Sequence, residues 1–208
     1  MWFVQAGSLR YLSCLRKIGI YGGTFDPVHC AHLILAREAL EQLELEAVLF
    51  VPAAVSPHKA GKEAAPAAIR TEMLRAAIAG EERFCVSEIE LQRPPPSFTI
   101  DTIQELRRTH AGAQLFYFIG SDQLAKLNTW HRIGDMREGV EFVVLARGEE
   151  AVPKEFRAIH RLIEISSTEI RNRVATGRSI RYLVPPAVEE IIQRQRLYQE
   201  TTRSLPKS

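Results

Sequence analysis

A chain of 208 residues, 46% of them hydrophobic, can bury one core of ordinary size and is too short for several. Its net charge of +2 argues against a protein built mainly to bind nucleic acid. The charge is uneven, because residues 151–208 hold 11 basic and 6 acidic side chains; that excess suits either a local anion site or a solvated basic surface.

Residues 1–16 carry scattered apolar side chains without the basic start, continuous apolar run or cleavage site of a signal peptide, and read as an N-terminal extension. Beyond them, strand patterns are predicted at Ile18–Tyr21, Ala47–Val51, Phe84–Ile89, Leu115–Ile119, Phe142–Ala146 and Leu162–Ile165. Helical patterns fall at about 29–44, 66–79, 99–110, 121–127, 168–176 and 186–196. Runs such as VLFV and FVVLA do not alternate apolar with polar, so they read as strands covered on both faces. The alternation of strand and helix predicts a single α/β domain over 17–200, a Rossmann-like doubly wound parallel sheet with helices on both faces, followed by a tail at 201–208. Cys14, Cys30 and Cys85 are too few and too scattered for a disulfide framework or a zinc site, which suits a reducing cytoplasm. No apolar run approaches the roughly 18 residues of a membrane span.

The first strand runs into GGTFDPVHCAHL at 22–33. In an open parallel sheet, ligands bind beyond the carboxyl ends of the strands, so this loop is well placed to hold one. Gly22 and Gly23 let phosphate oxygens approach the main chain. Asp26 is placed to cap the following helix, Pro27 suits its first turn, and the amides of that helix start favour an anion. His29 and His32 lie three apart and share a face. A zinc pair is a competing reading, but no third or fourth ligand follows at useful spacing. The stretch is neither a G-x-x-x-x-G-K-[ST] phosphate loop nor a G-x-G-x-x-G dinucleotide turn. Near the far end, ISSTEIR at 165–171 offers Ser166 and Glu169 as a capping box, and Thr168 and Arg171 as a second anion cradle. Arg173 falls on another side of that helix and reads as surface.

These two stretches resemble the paired signatures of the nucleotidyltransferase superfamily with the (H/T)-x-G-H motif; Ala31 stands where the motif commonly has glycine. Three further segments are similar to those of the nicotinate-nucleotide adenylyltransferases: VPAAVSPHK at 51–59, PSFTIDTI at 96–103 and FIGSDQLAKLNTWHRI at 118–133. Each has a plainer reading, with His58 and Lys59 as a solvated pair, Phe98 as core, Asp122 as a helix cap and Trp130 as packing.

The resemblance implies transfer of AMP from ATP to nicotinate mononucleotide, giving nicotinate adenine dinucleotide and pyrophosphate; the alternatives are nicotinamide mononucleotide or another phosphorylated acceptor as substrate, and a nucleotide-sensing module without turnover. It implies His29, His32 and Arg171 as catalytic residues. It places Gly22, Gly23, Thr24, Phe25, Gly120, Asp122, Ser166 and Thr168 with them at ATP, and His58, Lys59, Phe98, Thr99 and Trp130 at the mononucleotide. Mg²⁺ is expected to ride mainly on the ATP phosphates, with no metal ligands reserved for it. Neither nucleic acid nor membrane is an expected partner. Family members are often dimers, which makes a homodimer an expectation as well.

Overall fold

A computed structural model describes residues 16–54, 64–94, 97–148 and 151–199. His58 and Lys59, the segment 1–15 and the tail 201–208 lie outside these. Six strands form one parallel sheet: β1 (Lys17–Gly23), β2 (Ala47–Pro52), β3 (Phe84–Val86), β4 (Gln114–Gly120), β5 (Glu141–Ala146) and β6 (Arg157–His160). Their order is β3-β2-β1-β4-β5-β6, so the chain winds outward from β1 in one direction and then, from β4, in the other. The crevice between the carboxyl ends of β1 and β4 is the switch point where such sheets bind ligands.

Alternation along each strand builds two cores. Phe116 and Phe118 of β4 and Val143 and Leu145 of β5 face one side, against α1 (Cys30–Gln42), α2 (Ala67–Ala77), α6 (Ser167–Ala175) and α7 (Pro186–Arg194). Leu115, Tyr117 and Ile119 face the other, against α3 (Thr99–Thr109) and α5 (Ile133–Gly139). Helices thus cover both faces, as the doubly wound expectation requires. Between β4 and α5 lie α4 (Ser121–Leu124) and a 3₁₀ turn at Leu127–Thr129.

Two expectations are corrected. The sixth strand is Arg157–His160 rather than Leu162–Ile165; it is an edge strand paired only with β5, and it needs just Ile159 buried, whereas Leu162 is 73% exposed. Counting apolar letters therefore pointed a few residues too far along. Helix α5 was missed because Met136 is its one buried residue, which leaves no periodic apolar face to read.

Candidate active site

A cleft of about 710 Å³ opens over the carboxyl ends of β1 and β4. Among the predicted site residues it is lined by Gly22, Gly23, Thr24, Phe25, His29, His32, Phe98, Thr99, Gly120, Asp122, Trp130, Thr168 and Arg171.

The floor is the end of β1. A Cβ at Gly22 would lie 2.3 Å from the Tyr117 hydroxyl, so only glycine leaves both the strand and that hydroxyl in place. The Gly23 carbonyl accepts from the Ala53 amide at 2.9 Å, which ties the loop to the exit of β2. Phe25 takes a left-handed φ of +48°. Its ring is buried against Tyr21, with centroids 5.5 Å apart, and against His32 at 5.1 Å.

Asp26 does not cap α1. The helix begins later than expected, at Cys30, with His29 in the capping position and Pro27 ahead of the first turn. The Asp26 carboxylate instead accepts from the Tyr198 hydroxyl at 2.6 Å and from the Ala65 amide at 3.2 Å.

His29 and His32 stack with ring centroids 3.7 Å apart and planes inclined by 28°. The His29 amide donates to His32 Nδ1 at 3.2 Å. Burial, and next the charge of Arg147, lowers the His29 pKa to about 3. His32 is pushed well below the ordinary value by burial, then by His29 and Arg147. Both rings are therefore neutral at pH 7. Because Nδ1 of His32 is an acceptor, its proton sits on Nε2, and that N–H is the donor available to a ligand. Nδ1 of His29 is buried and unpartnered among the described residues.

Neutral burial has a consequence for stability. The unfolded chain takes up protons on these histidines near pH 6.5, whereas the folded chain resists until far lower pH. Their contribution is complete above about 6.5 and is lost at acid pH, that of His29 as pH falls toward about 3. Each adds a slope of up to about 1.4 kcal/mol per pH unit in that window. Chemical denaturation at a series of acidic pH values should show this slope, and His32→Asn should make it shallower.

The second signature closes the cleft from the opposite end of the chain. Ser166 is the N-cap of α6 and accepts from the Glu169 amide at 3.1 Å; it does not line the cleft. Ser167 takes the cleft-facing place, and its hydroxyl donates to the Pro27 carbonyl at 2.9 Å. Arg171 donates from Nη1 to the Asp26 carbonyl at 2.7 Å and from Nη2 to Thr168 Oγ1 at 3.1 Å. Arg173 points elsewhere and donates to the Ser179 carbonyl at 2.7 Å. The two anion cradles read from the sequence are thus one wall.

Gly120 is the residue before α4, and a Cβ there would meet Asp122 Oδ1 at 2.4 Å. Asp122 sits one residue inside that helix rather than at its cap. At the other pole, the Phe98 ring lies 4.7 Å from that of His131, with 37% of Phe98 exposed, so it is not simple core. Trp130 is half-buried, edge-on to Tyr117 at 6.1 Å and Phe142 at 6.4 Å, and its Nε1 is buried without a partner among the described residues. Packing and cleft lining are both true of it.

Sequence reading missed Arg147, Tyr117, Glu90, Lys126 and His131, which also line the cleft. Arg147 had a legible signal, because it directly follows the buried run EFVVLA, at the carboxyl end of β5. Its Nη1 donates to the Ile165 carbonyl at 3.3 Å. Glu90 is buried, which raises its pKa, and accepts from the Thr102 hydroxyl at 3.0 Å.

The cytidylyltransferase-like family matches residues 20–173. A probable nicotinate-nucleotide adenylyltransferase of Exiguobacterium sibiricum is 46% identical over 187 residues, covering 88% of this chain and 98% of the relative. One of the same name from Thermus thermophilus is 44% identical over 186 residues, covering 88% and 99%. In structure, the Plasmodium falciparum nicotinic acid mononucleotide adenylyltransferase complexed with NaAD aligns with a TM-score of 0.73 at 18% identity, covering 88% of this chain and 97% of that one, a likeness of fold. The chain belongs to the cytidylyltransferase-like family and, within it, to the nicotinate-nucleotide adenylyltransferases.

Proposed function

We propose that the cleft joins ATP to nicotinate mononucleotide, releasing pyrophosphate and forming nicotinate adenine dinucleotide. The observation that carries this reading is the meeting of the two signatures. Arg171 is hydrogen-bonded to Asp26, 145 residues away, beside two stacked neutral histidines in one cleft with an aromatic far pole.

The mononucleotide phosphate attacks the α-phosphorus of ATP; a P–O bond forms there and the bond to pyrophosphate breaks. A phosphate monoester has its second pKa near ~6, so the nucleophile is already ionised and needs no general base. Catalysis is then positioning and electrostatic stabilisation. Main-chain amides of the Gly22–Phe25 loop donate to phosphate oxygens, and the Thr24 hydroxyl joins them. His32 donates through Nε2 to the α-phosphate as charge moves onto the leaving pyrophosphate, with His29 stacked beside it. Ser167, Thr168 and Arg171 take the β- and γ-phosphates, while Ser166 serves by capping their helix. Gly120 and Asp122 face the ATP ribose or the new diphosphate link. Lys59 and His58, outside the described residues, are assigned to the mononucleotide phosphate by the sequence pattern alone.

Among the described residues no group of three or more His, Cys, Asp or Glu side chains is placed to hold a metal ion. Mg²⁺ is assigned to phosphate oxygens and water rather than to a protein cage, and when bound it would supply neutralisation of phosphate charge. The family resemblance is the ground on which a cytoplasmic location and a possible homodimer are proposed. No helix among the described residues is long and apolar enough to cross a membrane.

Coupled detection of pyrophosphate with a panel of phosphorylated acceptors tests the reading; release with phosphopantetheine but not with a pyridine mononucleotide would refute it. Nicotinate and nicotinamide mononucleotides differ in a carboxylate against a carboxamide. Trp130 can cover either ring. The main-chain amides at Phe98 and Thr99 open α3, a setting that favours the anion. Two charge-assisted hydrogen bonds, each contributing roughly 1.5–3 kcal/mol, should favour nicotinate by on the order of 10²-fold in kcat/KM. Equal values for the two would refute this assignment of the carboxylate subsite.

A further inference from the structure

Arg70 takes no part in the cleft lining, yet it is 3% exposed. It lies in α2 and spreads its guanidinium over three carbonyls from three stretches of chain. Nη1 donates to Thr24 at 2.7 Å, Nη2 to Ala53 at 2.9 Å and Nε to Ala65 at 2.9 Å. No carboxylate among the described residues comes within ion-pair distance of it. Burial disfavours its charge, an effect opposed by Asp26 and Tyr198 nearby. A methionine would fill the same place without burying a cation. What it could not do is hold three carbonyls in fixed directions.

The bond to Thr24 acts on the phosphate loop. In a trans peptide the C=O and the next N–H point in opposite directions in one plane. With the Thr24 carbonyl drawn back to Arg70, away from the cleft, the Phe25 N–H is turned toward the cleft. That N–H has no partner among the described residues. The arrangement places Phe25 at φ +48°, a conformation unfavourable for any residue with a bulky side chain, so the loop needs an external hold. Arg70 supplies it from behind. Tyr198 and Arg171 brace the next residue, Asp26, through its carboxylate and its carbonyl.

We propose that Arg70 is a positioning residue for phosphate binding: by fixing the Thr24 carbonyl it presents the Phe25 amide as a donor to a nucleotide phosphate oxygen. The inference rests on reading the cleft as the ATP site. Arg70→Lys tests it, since it keeps the cation but replaces a three-way fork by a point charge.

Titrating the labelled full-length protein with ATP, and separately with inorganic tripolyphosphate, the wild-type Phe25 amide resonance should shift strongly with both. In Arg70→Lys that shift should be lost and the ATP dissociation constant should rise roughly tenfold or more, while affinity for the mononucleotide stays near wild type. A fold staple alone would lower the melting temperature and leave this selectivity untouched. The inference is overturned if Arg70→Lys binds ATP as tightly as wild type, or if ATP and the mononucleotide weaken by the same factor. It is also overturned if the wild-type Phe25 amide ignores tripolyphosphate, a result that stands even where the variant does not fold. Absence of pyrophosphate release by the wild type would refute the proposed reaction instead, and the tripolyphosphate titration would still decide the role of the amide.

Discussion

Replacing His32 by asparagine should slow the chemical step by ~10²–10³ in single-turnover experiments at saturating ATP and mononucleotide, the effect typical of losing one donor to charge developing in a transition state. Asparagine is chosen on geometric grounds. Its carbonyl oxygen falls near the position of Nδ1, so it can go on accepting from the His29 amide, a bond of 3.2 Å in this structure. Only the Nε2–H donor is removed. Alanine would be a poorer probe, because His32 is buried against Tyr21 and Phe25 and its loss would also open a cavity. Glutamine, whose amide N–H reaches nearer the Nε2 position, should recover part of the rate while losing the bond to His29. An asparagine variant as fast as wild type would make His32 a cap and a packing residue and nothing more.

Arg171→Ala comes next in expected size. The guanidinium is held by the Asp26 carbonyl and the Thr168 hydroxyl, which leaves its remaining N–H groups directed to the cleft. Charge-assisted hydrogen bonds contribute roughly 1.5–3 kcal/mol, and the lower end applies in a cleft open to water, so kcat/KM for ATP should fall by roughly 10–10². Both components should move, with KM rising and kcat falling, while mononucleotide affinity measured alone stays near wild type. Lysine should recover only part of the loss, because one ammonium cannot bridge Asp26 and Thr168 and still face a phosphate in a plane. If the mononucleotide affinity fell and that of ATP did not, the two subsites would be exchanged.

Much of this was legible in the sequence because it depends on local pattern. Buried parallel strands show as apolar runs, and five of the six were placed, although β3 ends at Val86 rather than Ile89 because its segment FCVSEI is no unbroken run. The loop at 22–32 and the helix start at 166–171 show as motifs. What the sequence hid was how motifs divide labour once folded. Ser166 and Ser167 are adjacent and identical, and only the start of α6 decides that one caps and the other lines the cleft. Asp26 looked like a cap because nothing in the sequence announces a tyrosine 172 residues later whose hydroxyl donates to its carboxylate. Arg70 was invisible for a similar reason. An arginine in a helix with mixed neighbours reads as surface, and only three carbonyls brought together by the fold make it interior.

The bonds from Arg171 and Tyr198 back to Asp26 also bear on how the protein is made. The loop that begins the site is made before its outer wall, which follows 145 residues later in the chain. Joining them closes a loop of nearly the whole domain, and the entropy lost in that closure is repaid only when the last helices dock. A growing chain can assemble β1, α1 and β2 while the phosphate wall does not yet exist. A chain made only as far as β2 therefore holds half of the proposed cradle, with the histidines present and their opposing arginine absent. On this reading, competence to hold a nucleotide waits for α6 to be made and docked.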